Sequence, residues 1–378
     1  MDNPDNVAAL VLAAGYSSRM GEFKPLLELG PLPAVAHAVR CFQRAGVRDV
    51  RVVTGYRAAE VAEAVESLGA RVVFNPCFDQ GMFSSVQAGV GSLEPGVRAF
   101  FLLPVDHPLV RPFTVAKMLD VGRLGPRGIV YPVIRGWRGH PPLVSCRFRE
   151  EILAGPCPGG LAALLGKYEQ ESLEVAVADE GILLDMDTQE DYRALLAVLS
   201  RQAIPTPGEC RRIFEATGAG EAVWQHCWAV AGLAGAVAAQ LIEAGVRLDD
   251  DLVVAGALLH DVARCRPDHA REGAGLLAGL GYPRVAQIVA GHMDLEVSGE
   301  DPLSEAELVF LADKMIRGQS VVSLADRLRQ VLELLRDDEP ARAAAVHRME
   351  QAGLIKGKVE AVLGRPIESF LADGSAVS

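Results

Sequence analysis

Residues 7–26, VAALVLAAGYSSRMGEFKPL, constrain this chain more than any other stretch. They open as an apolar, β-branched run. They then break into Ala13-Ala14-Gly15, two serines and two cations, Arg19 and Lys24. The pattern predicts a buried strand ending in a small-residue loop, where backbone N–H groups can approach phosphate oxygens closely. Arg19 and Lys24 can neutralise charge that builds up during phosphoryl chemistry. The loop alone has two interpretations: a nucleotide-binding turn after the first strand of an α/β sheet, or an ordinary turn with surface cations. It is neither a Walker A nor a G-x-G-x-x-G fingerprint.

The chain's 378 residues exceed the usual size of one hydrophobic core, so two domains are expected. A net charge of -12 argues against nucleic acid as a partner but leaves room for a small anionic substrate beside a local Arg/Lys pair. The seven cysteines contain no C-x-x-C pair, which suggests reduced thiols. Residues 1–6 are polar and acidic, without a signal-peptide pattern. The longest apolar stretch, residues 229–242, is too short for a bilayer and reads as a buried helix. The expected setting is the cytoplasm, with no membrane partner.

Strand and helix signals alternate through the first half. Strands are expected at residues 49–54, 71–74, 99–103 and 128–133. Helices are expected at 33–45, 58–68, 82–91 and 112–121. This predicts a Rossmann-like, mostly parallel sheet with helices on both faces. Ligands of such sheets bind at the carboxyl ends of strands, where the small-residue loop, Thr54-Gly55 and Asp106 all fall. Asp106, between Pro104 and Pro108, suits Mg²⁺, although a turn or N-cap aspartate is the plainer alternative. Residues 136–145, GWRGHPPLVS, form a lid, a substrate wall or a structural turn around His140 and Pro141. In ILLDMDTQEDY, residues 182–192, a strand is expected to end in Asp185 and Asp187, with Thr188 and Asp191 capping the next helix.

Together LAAGYSSRMG with Lys24, VTGYR, NPCFDQGMFSSV, PVDHP, GHPPLVS and LDMDTQEDY resemble the molybdenum-cofactor nucleotidyltransferases, most closely the cytidylyltransferase branch. The resemblance covers about the first 195 residues. It implies a nucleotide-diphospho-sugar-transferase-like fold and transfer of CMP from CTP to molybdenum-bound molybdopterin, with release of pyrophosphate. Arg19 and Lys24 would stabilise the triphosphate. Asp106 and Asp187 would hold Mg²⁺. Leu12, Ala13, Ala14, Gly15, Thr54, Gly55, Gly81 and Ser85 would surround the nucleotide, and His140 and Pro141 the pterin. Guanylyl-transferring relatives usually carry glycine at the place of Ala14, which favours cytidine. GTP or a sugar or lipid phosphate as substrate is the alternative, and handover to a molybdoenzyme would follow.

Residues 200–208, SRQAIPTPG, read as a linker between a domain at 1–199 and an all-α domain at 209–378. The second domain's chemistry lies in His226, the pair His260-Asp261, His269, His292 and Asp313, on successive helical segments. Imidazole and carboxylate donors suit Fe, Mn or Zn, and an aspartate can bridge two ions. His37, His107 and His347 belong to no such set and read as structural or surface residues.

LLHDVA, HAREGA, His292 and ADKMIRG resemble the HD superfamily of metal-dependent phosphohydrolases, over roughly residues 215–318. This implies phosphoester or phosphoanhydride hydrolysis at one or two ions such as Fe or Mn. A non-catalytic sensor is the alternative. Many relatives carry a lysine soon after the His-Asp pair, where this chain has Arg264-Cys265. Leu324, Leu328, Val331, Leu332 and Leu335 form the apolar stripe of a packing helix. Residues 372–378 read as a frayed end.

Overall fold

The computed structural model describes residues 6–122 and 128–369, so the polar start at 1–5 and the end at 372–378 lie outside the described residues. The chain divides into two compact units, Met1–Arg201 and Gln202–Ser378.

The first unit runs β1 (Val7–Ala13), β2 (Glu28–Leu29), β3 (Leu32–Pro33), α1 (Ala34–Arg44), β4 (Asp49–Thr54), α2 (Ala58–Glu66), β5 (Arg71–Phe74) and α3 (Met82–Gly91). It continues β6 (Ala99–Pro104), α4 (Pro112–Gly122), β7 (Ile129–Ile134), β8 (Trp137–Arg138), β9 (Leu143–Ser145), α5 (Arg149–Leu153), α6 (Gly160–Gly166), β10 (Ser172–Ala176) and α7 (Gln189–Ser200). The main sheet has the order β10-β7-β9-β6-β1-β4-β5, with β8 on β7. β1 pairs in parallel with β4 and β6, and β4 with β5. β9 runs antiparallel between β6 and β7. The fold is thus the mostly parallel, Rossmann-like sheet expected, with one reversed strand inside it.

The continuous apolar run of β1 follows from burial on both faces. Ala9, Val11 and Ala13 join a core with Val39 and Phe42 of α1 and Met118 of α4. Ala8, Leu10 and Leu12 face the opposite core, with Val86 and Val90 of α3 and Ile152 of α5. Leu10 is fully buried, and its truncation to alanine is worth about 2–5 kcal/mol. The parallel pairing brings the carboxyl ends of β1, β4 and β6 to one sheet edge.

The expected strand before Asp185 does not form; the segment is a short 3-10 turn, Glu180–Ile182, followed by irregular chain. The cause is Asp179, fully buried, whose carboxylate accepts from the backbone N–H groups of Arg111 and Gly181 and from Thr114 Oγ1. These bonds draw the backbone into a turn. The capping box forms as expected: Thr188 Oγ1 accepts from Asp191 N, and Asp191 Oδ2 accepts from Thr188 N.

The second unit holds α8 (Pro207–Thr217), α9 (Glu221–Glu243), α10 (Asp250–Leu259), α11 (His269–Gly279), α12 (Pro283–Gly291), α13 (Glu305–Met315), α14 (Leu324–Leu334) and α15 (Glu339–Leu363). Two-residue strands β11 (Ile316–Arg317) and β12 (Ser320–Val321) form a hairpin between α13 and α14. α8 starts inside the stretch expected as linker, because Thr206 and Glu209 form a capping box around Pro207 at the first turn. The 23-residue α9 extends well beyond the apolar stretch at 229–242, and reaches a length that could cross a bilayer. It packs against α10 and α13 and buries Val230, Leu233, Val237 and Leu241. The apolar stripe of α14 packs on α15 but stays only half-buried.

Candidate functional sites

At the carboxyl edge of the first sheet, the loop after β1 faces Phe78, Gly81 and Ser85 across a cavity of about 330 Å³. Leu12, Ala13, Ala14 and Gly15 line it on one side, and Lys24 and Asp106 lie on the same lining. Ser17 Oγ accepts from the backbone N–H of Lys24 at 3.0 Å, which ties the two ends of the loop together. Asn75 donates from Nδ2 to Ser84 Oγ and Ser85 Oγ, fixing the first turn of α3 beside the cavity.

Lys24 is the electrostatic centre. Its side chain is 11% exposed, with Nζ 2.5 Å from Asp187 Oδ1 and 3.5 Å from Asp106 Oδ2. Arg19 Nη1 lies 3.2 Å from Asp187 Oδ2 but is largely exposed. The hydrogen bond from Lys24, with the Lys24 and Arg19 charges, holds the Asp187 carboxyl below the usual carboxylate range, against a smaller opposing effect of burial. Asp106 Oδ1 is buried without a hydrogen-bond partner, with His107 Nε2 3.9 Å away. Such an orphaned carboxylate oxygen beside a second carboxylate fits Mg²⁺, which takes protein carboxylates together with phosphate oxygens.

Other expected residues lie off the lining. Thr54 is fully buried at the end of β4. A Cβ on Gly55 would sit 2.5 Å from Phe78 Cβ and 2.8 Å from the Ala14 carbonyl oxygen, so Gly55 lets two cavity walls meet. Pro141 is buried. His140 donates its backbone N–H to Ile182 O at 2.9 Å, and its ring stacks on His107 at 4.3 Å between centroids. His107 is therefore a half-buried neighbour of Asp106 and His140, the structural of the two roles expected for it. Burial, with the adjacent His107, lowers His140 to a pKa of about 4. Burial also lowers His107, against the raising effect of Asp106 and Asp185.

In the second unit, His226 from α9, His260-Asp261 after α10, His269 opening α11, His292 after α12 and Asp313 on α13 converge. His226, His260 and Asp261 offer donor atoms within 4.8 Å of one another, and so do Asp261, His269 and His292. Asp261 is common to both groups. Its Oδ1 lies 3.2 Å from His269 Nε2 and 3.5 Å from His292 Nε2. Asp313 Oδ1 lies 3.1 Å from His226 Nε2 and 3.6 Å from His260 Nε2.

The ring orientations fit metal binding. Nδ1 of His226, His260 and His292 each faces a backbone carbonyl, of Gly318, Ala257 and Val289. A proton held at Nδ1 leaves the Nε2 lone pair aimed into the cluster. His260 Nε2 is buried there without a hydrogen-bond partner. Nitrogen and carboxylate donors of this kind suit Mn, Fe or Zn.

Two cations, Arg264 after the His-Asp pair and Lys314 within ADKMIRG, touch the cluster, a role the sequence analysis did not assign them. Lys314 Nζ lies 2.7 Å from Asp313 Oδ2 and donates to His292 O. Arg264 Nη1 lies 3.4 Å from Asp261 Oδ1 and 3.1 Å from His269 Nε2. Their adjacency to His260-Asp261 and Asp313 in sequence was the available signal.

Residues 9–172 match the family model of the MobA-like NTP transferase domain, and residues 223–318 that of the HD domain. The molybdenum cofactor cytidylyltransferase of Escherichia coli (strain K12) is 29% identical over 191 residues, covering 49% of this chain and 93% of that protein. The 3-deoxy-manno-octulosonate cytidylyltransferase of Rhodopseudomonas palustris (strain BisA53) is 34% identical over 98 residues, 25% of this chain and 39% of that protein. The solved Rv0371c of Mycobacterium tuberculosis H37Rv is 27% identical with a TM-score of 0.46, covering 52% of this chain and 100% of that one. The chain thus carries a MobA-like NTP transferase domain followed by an HD domain.

Proposed function

We propose that the first unit transfers CMP from CTP to molybdenum-bound molybdopterin, forming the cytosine dinucleotide and pyrophosphate. The observation that carries this is Lys24, set between Asp106 and Asp187 on the lining of a nucleotide-sized cavity. The Escherichia coli cytidylyltransferase supports the choice of substrates.

A terminal phosphate oxygen of the pterin attacks the α-phosphorus of CTP. The bond from that phosphorus to the bridging oxygen breaks, and pyrophosphate leaves with the electron pair. Positioning and charge stabilisation dominate such a transfer. Lys24 and Arg19 neutralise the triphosphate and the leaving group. The 13–15 backbone, Gly81 and Ser85 hold the nucleoside, and His140 and Pro141 shape the acceptor side. Mg²⁺ held by Asp106 and Asp187 would supply further charge neutralisation at the phosphates.

The second unit is assigned hydrolysis of a phosphoester or phosphoanhydride. Its support is the double donor set joined by Asp261, with His260 Nε2 left without a partner. Metals held by His226, His260, Asp261, His269, His292 and Asp313 would polarise the phosphate and activate water. Arg264 and Lys314 place positive charge beside that site.

Pyrophosphate release from molybdopterin, molybdate and Mg²⁺ with CTP or GTP tests the transferase. A clear preference for CTP is expected; absence of CTP-dependent release overturns the assignment, and preference for GTP removes the weight placed on Ala14. Phosphate release from dinucleoside polyphosphates with added Mn²⁺ tests the second unit, and no release by protein carrying bound metal would count against it.

A further inference from the structure

Three aromatic rings from three segments meet beside the cavity, with Tyr16 and Phe78 on its lining and Tyr56 packed against Tyr16. Tyr16 follows β1, Tyr56 follows β4, and Phe78 follows β5. Tyr16 lies 5.1 Å from Tyr56 and 5.4 Å from Phe78 between centroids, tilted by 44° and 56°. Tyr16 is 53% and Tyr56 40% exposed, unusual for large apolar bodies beside a concave site.

The cluster is braced from behind. Phe23 is buried and meets Tyr56 edge-on at 5.6 Å, and the Arg57 guanidinium covers Phe23 at 4.8 Å. Tyr56 N donates to the Ala14 carbonyl oxygen, and Gly55 admits Phe78 against the same loop. The aromatic rings therefore adjoin Ala14, whereas Lys24 and Asp106 mark the phosphate end of the lining.

From this juxtaposition we infer that Tyr16, supported by Tyr56 and Phe78, forms a stacking wall for the nucleobase of the nucleoside triphosphate. The inference deepens the proposed transferase site and rests on it. A nucleobase presents a π-face that an aromatic side chain stacks against with little dependence on base identity. The wall accordingly sets nucleotide affinity, while the backbone at Ala14 selects the base.

Calorimetric titration of the full chain with CTP, GTP and tripolyphosphate, in Mg²⁺ and without acceptor, tests this. Wild type should bind at least one nucleotide more tightly than tripolyphosphate. Tyr16→Ala should weaken that nucleotide roughly tenfold or more and leave tripolyphosphate unchanged, whereas Tyr16→Phe should retain wild-type affinity. Tyr56→Ala should give a smaller loss in the same direction. Unchanged nucleotide affinity in Tyr16→Ala, or equal weakening of tripolyphosphate, overturns the wall while leaving the transferase assignment standing. A wild type that binds no nucleotide better than tripolyphosphate overturns both.

Discussion

Lys24 and Asp187, 163 positions apart in sequence, meet with Nζ 2.5 Å from Oδ1. The lysine comes from the loop after β1 and the acid from the irregular chain before α7. Lys24 also faces Asp106, so one ammonium serves two carboxylates, and Asp187 is paired with Arg19 besides.

Lys24→Ala should therefore lower kcat for pyrophosphate release by at least ~10²-fold, the usual loss when one preorganised donor is removed. It should also raise the Asp187 carboxyl towards its ordinary range, which carbon-detected NMR can follow. The sign is fixed by linkage. A carboxyl depressed in the folded state contributes stability above its unfolded pKa, near ~3.9, and loses it as pH falls through the lower folded value. The acid-side stability loss assigned to Asp187 should shrink in Lys24→Ala.

His140 supplies a second pH signature. Its folded pKa of about 4 lies below the ordinary value of 6.5, because burial and then His107 oppose its charge. Between those values the unfolded chain binds the proton and the folded chain does not. Stability from this group is complete above pH 6.5 and falls as pH drops towards 4. Thermal melts should show that loss in wild type and a smaller one in His140→Gln. A ring titrating near 6.5 by NMR would contradict the buried stack.

Metal content separates the two donor groups of the second unit. Protein reconstituted with Mn²⁺ should hold two equivalents per chain (~2), measured by elemental analysis, if both groups fill. Asp261→Ala should lose both, because Asp261 belongs to both groups. His226→Ala and His269→Ala should each retain about one. Equal metal in wild type and Asp261→Ala would remove the hydrolase assignment.

The sheet was legible because β1 and β6 are buried on both faces and read as apolar runs, while β4, DVRVVT, is a short β-branched run despite its buried Arg51. The candidate donor cluster was legible because His260 and Asp261 are adjacent and the remaining donors fall one each on successive helical segments, His269 and His292 at helix ends and His226 and Asp313 within α9 and α13. Three features were not. The turn at Asp179 depends on a buried carboxylate bonded to residues about 65 positions earlier, which no local pattern displays. The stacking of His107 on His140 joins two loops through tertiary packing alone. Tyr16, Tyr56 and Phe78 sit far apart in sequence, and each singly resembles an ordinary loop aromatic.

Gly139→Ala tests how the acceptor side is held. A Cβ at Gly139 would lie 2.5 Å from the Ile182 carbonyl oxygen and 2.6 Å from Ile182 Cγ1. Ile182 is fully buried, and the same carbonyl accepts from His140 N, so neither group can yield alone. Relief must come from shifting the 180–187 chain, which carries Asp187 to Lys24. The substitution should cost about 1–3 kcal/mol in stability and lower kcat together with it. Gly166→Ala is the control. It closes α6 with no atom within 4 Å of the added Cβ, and should leave both quantities near wild type. Equal melting temperatures and rates for the two variants would show that Gly139 does not set the path from His140 to Asp187.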